Sequence, residues 1–262
     1  MNHSFSAPAK KSLGQHFLAD RYYIDRIVQA VDPRAGQHLL EIGPGQGAIT
    51  FPLLRKHGAL TVIEFDRDLI APLTDAAAPI GALSIIHRDV LSVDFTALAD
   101  GTPIRLVGNL PYNISSPILF HALDHAGAVA DMHFMLQKEV VDRMAAGPGS
   151  KVYGRLSVML QAYCEVTALF VVPPGAFRPP PKVDSAVVRL VPRDPATVQI
   201  RDRRRFADVV RAGFGQRRKT LRNALSNVCE PAHFEAAQVR PDARAEQLEV
   251  ADFIRLANVE PA

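Results

Sequence analysis

Apolar positions along the chain fall into two alternating rhythms. Short dense runs at 38–42, 60–65, 83–87 and 104–108 have the length and composition of strands buried on both faces. Between them, segments 48–57, 66–78 and 117–125 place apolar side chains at helical spacing. An earlier amphipathic segment opens at Asp20, whose carboxylate suits a helix N-cap, and repeats Ile24, Ile27, Val28 and Val31. A fifth strand at 132–136, helices at 139–145 and 154–163, and strands at 167–172 and 185–191 continue the pattern. This alternation predicts an α/β fold with a mostly parallel, doubly wound, Rossmann-like sheet. Past Pro195 strand character stops, and 203–214, 220–227 and 247–257 read as helices. The expected division is therefore a domain over residues 1–195 and a small all-helical domain over 196–262.

Composition narrows the class. Of 262 residues, 48% are hydrophobic and 22% charged, which is ordinary for a globular chain with a sizeable core. No apolar run reaches the roughly 20 residues needed to span a bilayer, and no secretory leader is visible, so a cytoplasmic protein without a membrane partner is expected. Cys164 and Cys229 lack paired spacing and read as reduced thiols; nothing suggests a metal. The net charge is only +3, yet between Arg201 and Arg222 nine basic residues face two acidic ones. That excess fits phosphate-backbone binding or, with arginines at 23 against 7 lysines, a solvated helix face. Lys138, Arg143, Lys151 and Arg155 allow the same two readings.

Candidate chemistry lies at successive strand ends. Glu41-Ile42-Gly43-Pro44-Gly45-Gln46-Gly47 follows one strand and opens a helix, and its glycines let the backbone approach a ligand. Gly43-x-Gly45-x-x-Ala48 also satisfies a dinucleotide fingerprint, with Glu64 placed 21 residues after Gly43 as a ribose-binding carboxylate. Glu64 thus suits either NAD or S-adenosylmethionine. Asp89 ends the third strand, where it can accept a hydrogen bond from an adenine amine or simply cap a turn.

The fourth strand ends in Gly108-Asn109-Leu110-Pro111-Tyr112. An adenine amine is a poor nucleophile because its lone pair is delocalised into the ring. Two acceptors, the Asn109 side-chain oxygen and the Leu110 carbonyl, can favour a pyramidal nitrogen aimed at an electrophilic methyl. Pro111 fixes the turn, and Tyr112 offers a face for an extruded base.

Together with Lys11-Ser12-Leu13-Gly14-Gln15-His16-Phe17-Leu18, Met135-Leu136-Gln137-Lys138-Glu139, Phe177-Arg178-Pro179-Pro180-Pro181-Lys182 and Gln216-Arg217-Arg218-Lys219-Thr220, these motifs resemble the bacterial small-subunit ribosomal RNA adenine dimethyltransferases, the kasugamycin-resistance family, over nearly the whole chain. The resemblance implies a class I methyltransferase fold, with S-adenosylmethionine held by His16, Leu18, Gly43, Gly45, Glu64, Asp89 and Asn109. Many members carry Asn where this chain has His16. It further implies that Asn109, Leu110, Pro111 and Tyr112 form the reaction centre, with Phe177 on the opposite face of the target adenine. Phe177 as a core plug beside its prolines is the other reading.

In this family reading, Arg217, Arg218, Lys219 and Arg222 contact RNA. The substrate is two adjacent adenosines near the 3′ end of 16S ribosomal RNA within a small-subunit precursor, and the enzyme works as a monomer linked to ribosome biogenesis. Three rivals remain open at this point: another RNA or DNA adenine methyltransferase, a nicotinamide-dependent oxidoreductase, and a non-catalytic assembly factor. The oxidoreductase leaves Asn-Leu-Pro-Tyr unexplained and lacks a Tyr-x-x-x-Lys pair.

Overall fold

The structure is a computed structural model that describes residues 8–10, 13–216 and 218–259. In chain order the elements are β1 (Phe17–Leu18), α1 (Arg21–Val31), β2 (His38–Ile42), α2 (Thr50–His57), β3 (Ala59–Glu64), α3 (Arg67–Ala77), β4 (Ala82–His87), α4 (Phe95–Ala99) and β5 (Ile104–Asn109). There follow α5 (Ser115–Asp124), β6 (Val129–Gln137), α6 (Lys138–Ala145), α7 (Arg155–Tyr163), β7 (Cys164–Val172), β8 (Phe177–Arg178) and β9 (Ser185–Pro192). Four helices close the chain: α8 (Arg203–Gly215), α9 (Leu221–Ala224), α10 (Pro231–Ala236) and α11 (Val250–Asn258).

Seven strands form one sheet in the order β4-β3-β2-β5-β6-β9-β7. Neighbours from β4 through β6 pair in parallel, and β9 joins β6 antiparallel. The strand order reverses between β2 and β5, and in open α/β sheets a ligand crevice lies beyond the carboxyl ends at such a switch. Leu39 of β2, Val62 of β3 and Val107 of β5 share a core cluster with Ile27 and Val31 of α1, Leu53 and Leu54 of α2, and Leu69 and Leu73 of α3. Strand side chains alternate with period two, so Glu41, Glu64 and Asn109 each stand two residues beyond one of those anchors, on the same face. Apolar anchoring therefore aims three polar side chains at the crevice.

The alternating pattern predicts these strands and helices well, and Asp20 does cap α1, accepting from the Tyr22 N–H at 2.9 Å. Differences are local. The expected helix at 220–227 is cut to α9, since Val228 and Cys229 donate to the Leu225 carbonyl in a turn instead. The short α4 and α10 and the β1–β8 pair carry too few residues to show a period.

The expected cut at 195/196 also differs from the observed division. One compact unit holds the residues up to Val141 and Thr167–Pro192, while the second takes Asp142–Val166 as well as everything from Arg193 onward. The reason is aromatic packing within the second unit. Tyr153 is buried, stands edge-on to Phe214 at 5.9 Å and donates its hydroxyl to the Leu248 carbonyl at 2.9 Å. Phe214 in turn stacks on Phe253 of α11 at 5.5 Å. Phe206, Val209 and Val210 line the buried face of α8, so a helix that is basic outside is apolar inside.

Within the sheet, Arg105 of β5 grips Asp131 of β6 through two bonds of 2.8 Å and donates to Gln37 at 2.8 Å. Burial pushes the Asp131 carboxyl up, but the Arg105 bonds and the neighbouring charges outweigh it and hold the group below its ordinary value. Burial drags the nearby His133 imidazole down to about 4, against the pull of Asp131. His133 is thus neutral in the folded state and takes a proton on unfolding below about pH 6.5. Its contribution to stability is complete above that pH and declines as pH falls from 6.5 towards 4, by on the order of 3 kcal/mol in all. Urea unfolding at pH 7 and pH 5 is expected to show about 2 kcal/mol of this loss, and His133→Asn to flatten it. An equally steep pH dependence in the variant would assign the loss to other groups.

Candidate active site

A cavity of about 290 Å³ opens at the carboxyl ends of the parallel strands. The loop after β2 forms its floor. Gly43 and Gly45 adopt left-handed backbone angles, φ 68° and 56°, which side chains strain to reach. The Gly43 N–H donates to the Ile63 carbonyl at 2.9 Å, tying the loop to β3. Regular α2 then begins at Thr50, two residues later than the sequence pattern implies, because the turn runs on through Ile49.

Glu64 closes β3 with 6% of its surface exposed. Its Oε1 accepts the Asp66 N–H at 2.7 Å and its Oε2 the Gly45 N–H at 3.3 Å. Burial raises its pKa above the ordinary value, and the backbone N–H groups of Asp66, Gly45 and Phe65 work against that rise. Each oxygen accepts only one of the bonds from Asp66 and Gly45, which leaves acceptor capacity for ligand hydroxyls. Asp89 is exposed and caps the short turn Val90–Ser92, with Oδ1 accepting from Leu91 at 3.0 Å. Its carboxylate lines the same cavity, so capping and ligand contact are compatible roles.

Asn109 ends β5. Its amide nitrogen donates to the backbone carbonyl of His16 at 2.9 Å, which turns the side-chain oxygen into the available acceptor. The Leu110 N–H is committed to the Met135 carbonyl at 3.1 Å, fixing the Asn109–Leu110 peptide. The Tyr112 hydroxyl lies 2.6 Å from Ser185 Oγ, and its ring runs nearly parallel to the His16 ring with centroids 5.8 Å apart. Burial raises the Tyr112 pKa, with the Ser185 bond opposing, so the phenol stays protonated at neutral pH. Phe17, Leu18 and His16 complete the wall, and His16 is itself held by the Pro179 carbonyl at 2.9 Å from Nδ1.

The cavity therefore gathers His16, Leu18, Gly43, Gly45, Glu64, Asp89, Asn109, Leu110, Pro111 and Tyr112. Phe177 is the exception. It is fully buried, pairs with Leu18 across the β1–β8 ladder and belongs to the apolar core rather than the cavity lining. Its ring sits in the core cluster that also holds Leu18, Val172 and Ala176, as the core-plug reading expects. Arg217 lies outside the described residues. Arg218, Lys219 and Arg222 are exposed in the second unit, whereas Arg211 pairs with Asp208 at 2.6 Å.

Sequence reasoning assigned no role to Glu41. Its carboxyl is 1% exposed, and burial pushes its pKa up to about 8 despite a 2.6 Å bond from Thr50 Oγ1, with Glu64 adding to the rise. It is a neutral acid at pH 7. The available signal was an acidic residue inside the apolar run Leu39-Leu40-Glu41-Ile42. Lys10, Gln15 and Ser185, which anchor the wall and Tyr112, carry no periodic signal at all.

Glycine floor, strand-end carboxylates and apolar walls fit the two hydroxyls and the ring of an adenosyl group. Known proteins agree with that chemistry. The profile of the family described as ribosomal RNA adenine dimethylase matches residues 7–260. A protein of Xanthomonas oryzae pv. oryzae named ribosomal RNA small subunit methyltransferase A is 97% identical over all 262 residues, covering 100% of both chains. One of the same name from Xanthomonas campestris pv. campestris is 94% identical over the same length. Among solved structures, a dimethyladenosine transferase from Plasmodium falciparum superposes with TM-score 0.80 at 26% identity, covering 92% of this chain and 96% of its own. The 23S rRNA methyltransferase ErmE gives TM-score 0.72 at 25% identity, covering 92% and 98%. The oxidoreductase and non-catalytic readings fall away, and the methyl donor is S-adenosylmethionine. The sheet, the strand-end site and the full-length match together place this chain in the ribosomal RNA adenine dimethylase family.

Proposed function

We propose that the protein dimethylates the N6 amines of two adjacent adenosines near the 3′ end of small-subunit ribosomal RNA, acting as a cytoplasmic monomer on a precursor of the subunit. The observation that carries the adenine chemistry is the Asn109 amide pinned to the His16 carbonyl. Pinning removes the flip that would present a donor to the substrate, so the pocket offers an acceptor to an amine. The Leu110 carbonyl is the second acceptor, on a residue held by its own N–H donating to the Met135 carbonyl and by the Pro111 ring that follows.

Glu64 would hold the ribose of the cofactor, Asp89 its adenine amine and the Gly43–Gly45 backbone its remaining polar part. Bound there, S-adenosylmethionine supplies an electrophilic methyl. The chain's own work is orientation. Asn109 and Leu110 draw the two amine hydrogens out of the base plane, and Tyr112, locked by Ser185, presents its ring to the extruded adenine. The amine proton leaves to water once the nitrogen is alkylated, so the site needs no general base. Protonated Glu41 is consistent with that, being a positioned neutral group rather than a proton acceptor.

Labelled methyl transfer to unmethylated small subunits, with the nucleoside identified by mass spectrometry, is expected to yield N6,N6-dimethyladenosine at two neighbouring positions. Label in another nucleoside would refute the reading. Asn109→Ala should lower kcat by about 100-fold or more while RNA affinity stays nearly constant, since only a preorganised polar contact is lost. Tyr112→Ala should cost roughly 1–3 kcal/mol of base stacking, whereas Tyr112→Phe keeps the ring and loses far less. Equal losses in the two Tyr112 variants would assign the role to the hydroxyl instead.

Exposed Arg218, Lys219 and Arg222 support RNA contact by the second unit. Replacing all three with Gln is expected to weaken RNA binding and flatten the slope of log affinity against log salt by about 2. An unchanged slope would return them to solvated surface charge.

A further inference from the structure

The wall of the cavity formed by Gly14–Leu18 is not part of the seven-stranded sheet. It is a strap tied down at both ends. Its far end is β1, paired with β8 through Phe17–Arg178 and Leu18–Phe177. Its near end is a latch on the N-terminus of α3. Lys10 Nζ reaches Asp66 Oδ1 at 2.5 Å and Asp68 Oδ2 at 2.6 Å. Gln15 Nε2 donates to Asp66 Oδ2 at 3.1 Å, and Gln15 Oε1 accepts the Lys10 backbone N–H at 2.8 Å.

Asp66 is the pivot. Its side chain is only 3% exposed and holds the strap, while its backbone N–H holds Glu64 Oε1 at 2.7 Å. Residue 16, next to Gln15, supplies the carbonyl that orients Asn109. One chain of contacts therefore runs from the proposed ribose carboxylate to the proposed reaction centre: Glu64, Asp66, Gln15 with Lys10, His16, Asn109. Lys10 also neutralises Asp66 beside Glu64. Without it, two sparsely hydrated carboxylates repel one another where each must stay in place.

We propose that Lys10 and Gln15 are positioning residues whose latch on Asp66 seats the strap, so that cofactor retention at Glu64 and alignment of Asn109 rise and fall together. Neither residue touches the reacting atoms. The inference rests on the reading of Asn109 and Glu64 given above.

The test compares Lys10→Met, Lys10→Arg, Gln15→Leu and Asn109→Ala in labelled methyl transfer to unmethylated small subunits, with S-adenosylmethionine affinity measured by calorimetry and folding by thermal unfolding. A shared seat means that releasing the latch moves both constants together. Lys10→Met is therefore expected to raise the cofactor Kd and lower kcat, each by about tenfold, with Tm little changed. Lys10→Arg, which keeps the charge and the reach, should restore most of both.

Gln15→Leu should shift both constants in the same direction by a smaller factor, and it carries the test if Lys10→Met does not fold. A rise in Kd with kcat unchanged, a fall in kcat with Kd unchanged, or no rescue by Arg would overturn the coupling. Full activity in Asn109→Ala would instead overturn the reaction-centre reading, whatever Lys10 does.

Discussion

The approach of β5 to β2 is the constraint on which the site depends. A Cβ built on Gly108 would sit 2.6 Å from the Ile42 carbonyl oxygen, a separation that backbone does not tolerate. Only glycine lets the two strands run side by side to their ends, where the sheet order reverses. That contact places Asn109 beside the Gly43 turn, so both line one crevice. A side chain at 108 would push β5 away and open the site at its centre, even with every binding residue still present.

The same crevice concentrates acids. Glu41, Glu64 and Asp66 are all nearly inaccessible to water, and each is stabilised by a different device. Glu41 stays protonated at neutral pH and keeps a single bond from Thr50. Glu64 takes two backbone N–H groups. Asp66 has burial raising its pKa, but Lys10, Gln15 and the Asp68 N–H outweigh that and bring it below the ordinary range. Three carboxylates charged together there would repel strongly in a poorly screened setting. Protonation, backbone donation and ion pairing divide the load, and the ion pair comes from Lys10, in the segment that precedes β1.

What the sequence made legible follows from period. Strands and helices long enough to repeat an apolar pattern were readable, and so were the polar residues that interrupt that pattern at strand ends, Glu64 and Asn109 above all. Period two makes the reason explicit: Val62 to Glu64 and Val107 to Asn109 are the same step on the same face. Contacts between distant segments leave no such trace. Nothing local marks Ser185 as the partner of Tyr112, 73 positions away, or His16 as the carbonyl that turns Asn109. Tyr153 drew residues 142–166 into the second unit by the same kind of long-range packing. Phe177 shows the converse, since its aromatic character is plain in the sequence while its full burial in the core cluster is a matter of long-range packing.

Chemistry and substrate choice rest on different parts of the chain. On the proposed reading, an acceptor pair and an aromatic face would recognise an exocyclic amine on any extruded adenine. Arginines and lysines on the second unit attract phosphate without distinguishing bases. In that reading, selection of a particular pair of adenosines would come from the shape of the folded RNA and not from contacts to single bases. On that reasoning a naked RNA strand of the right sequence should be a poorer substrate than a folded subunit. Neutralising the basic surface should then slow methylation of the folded subunit far more than that of a short adenosine oligonucleotide, which has no shape to recognise.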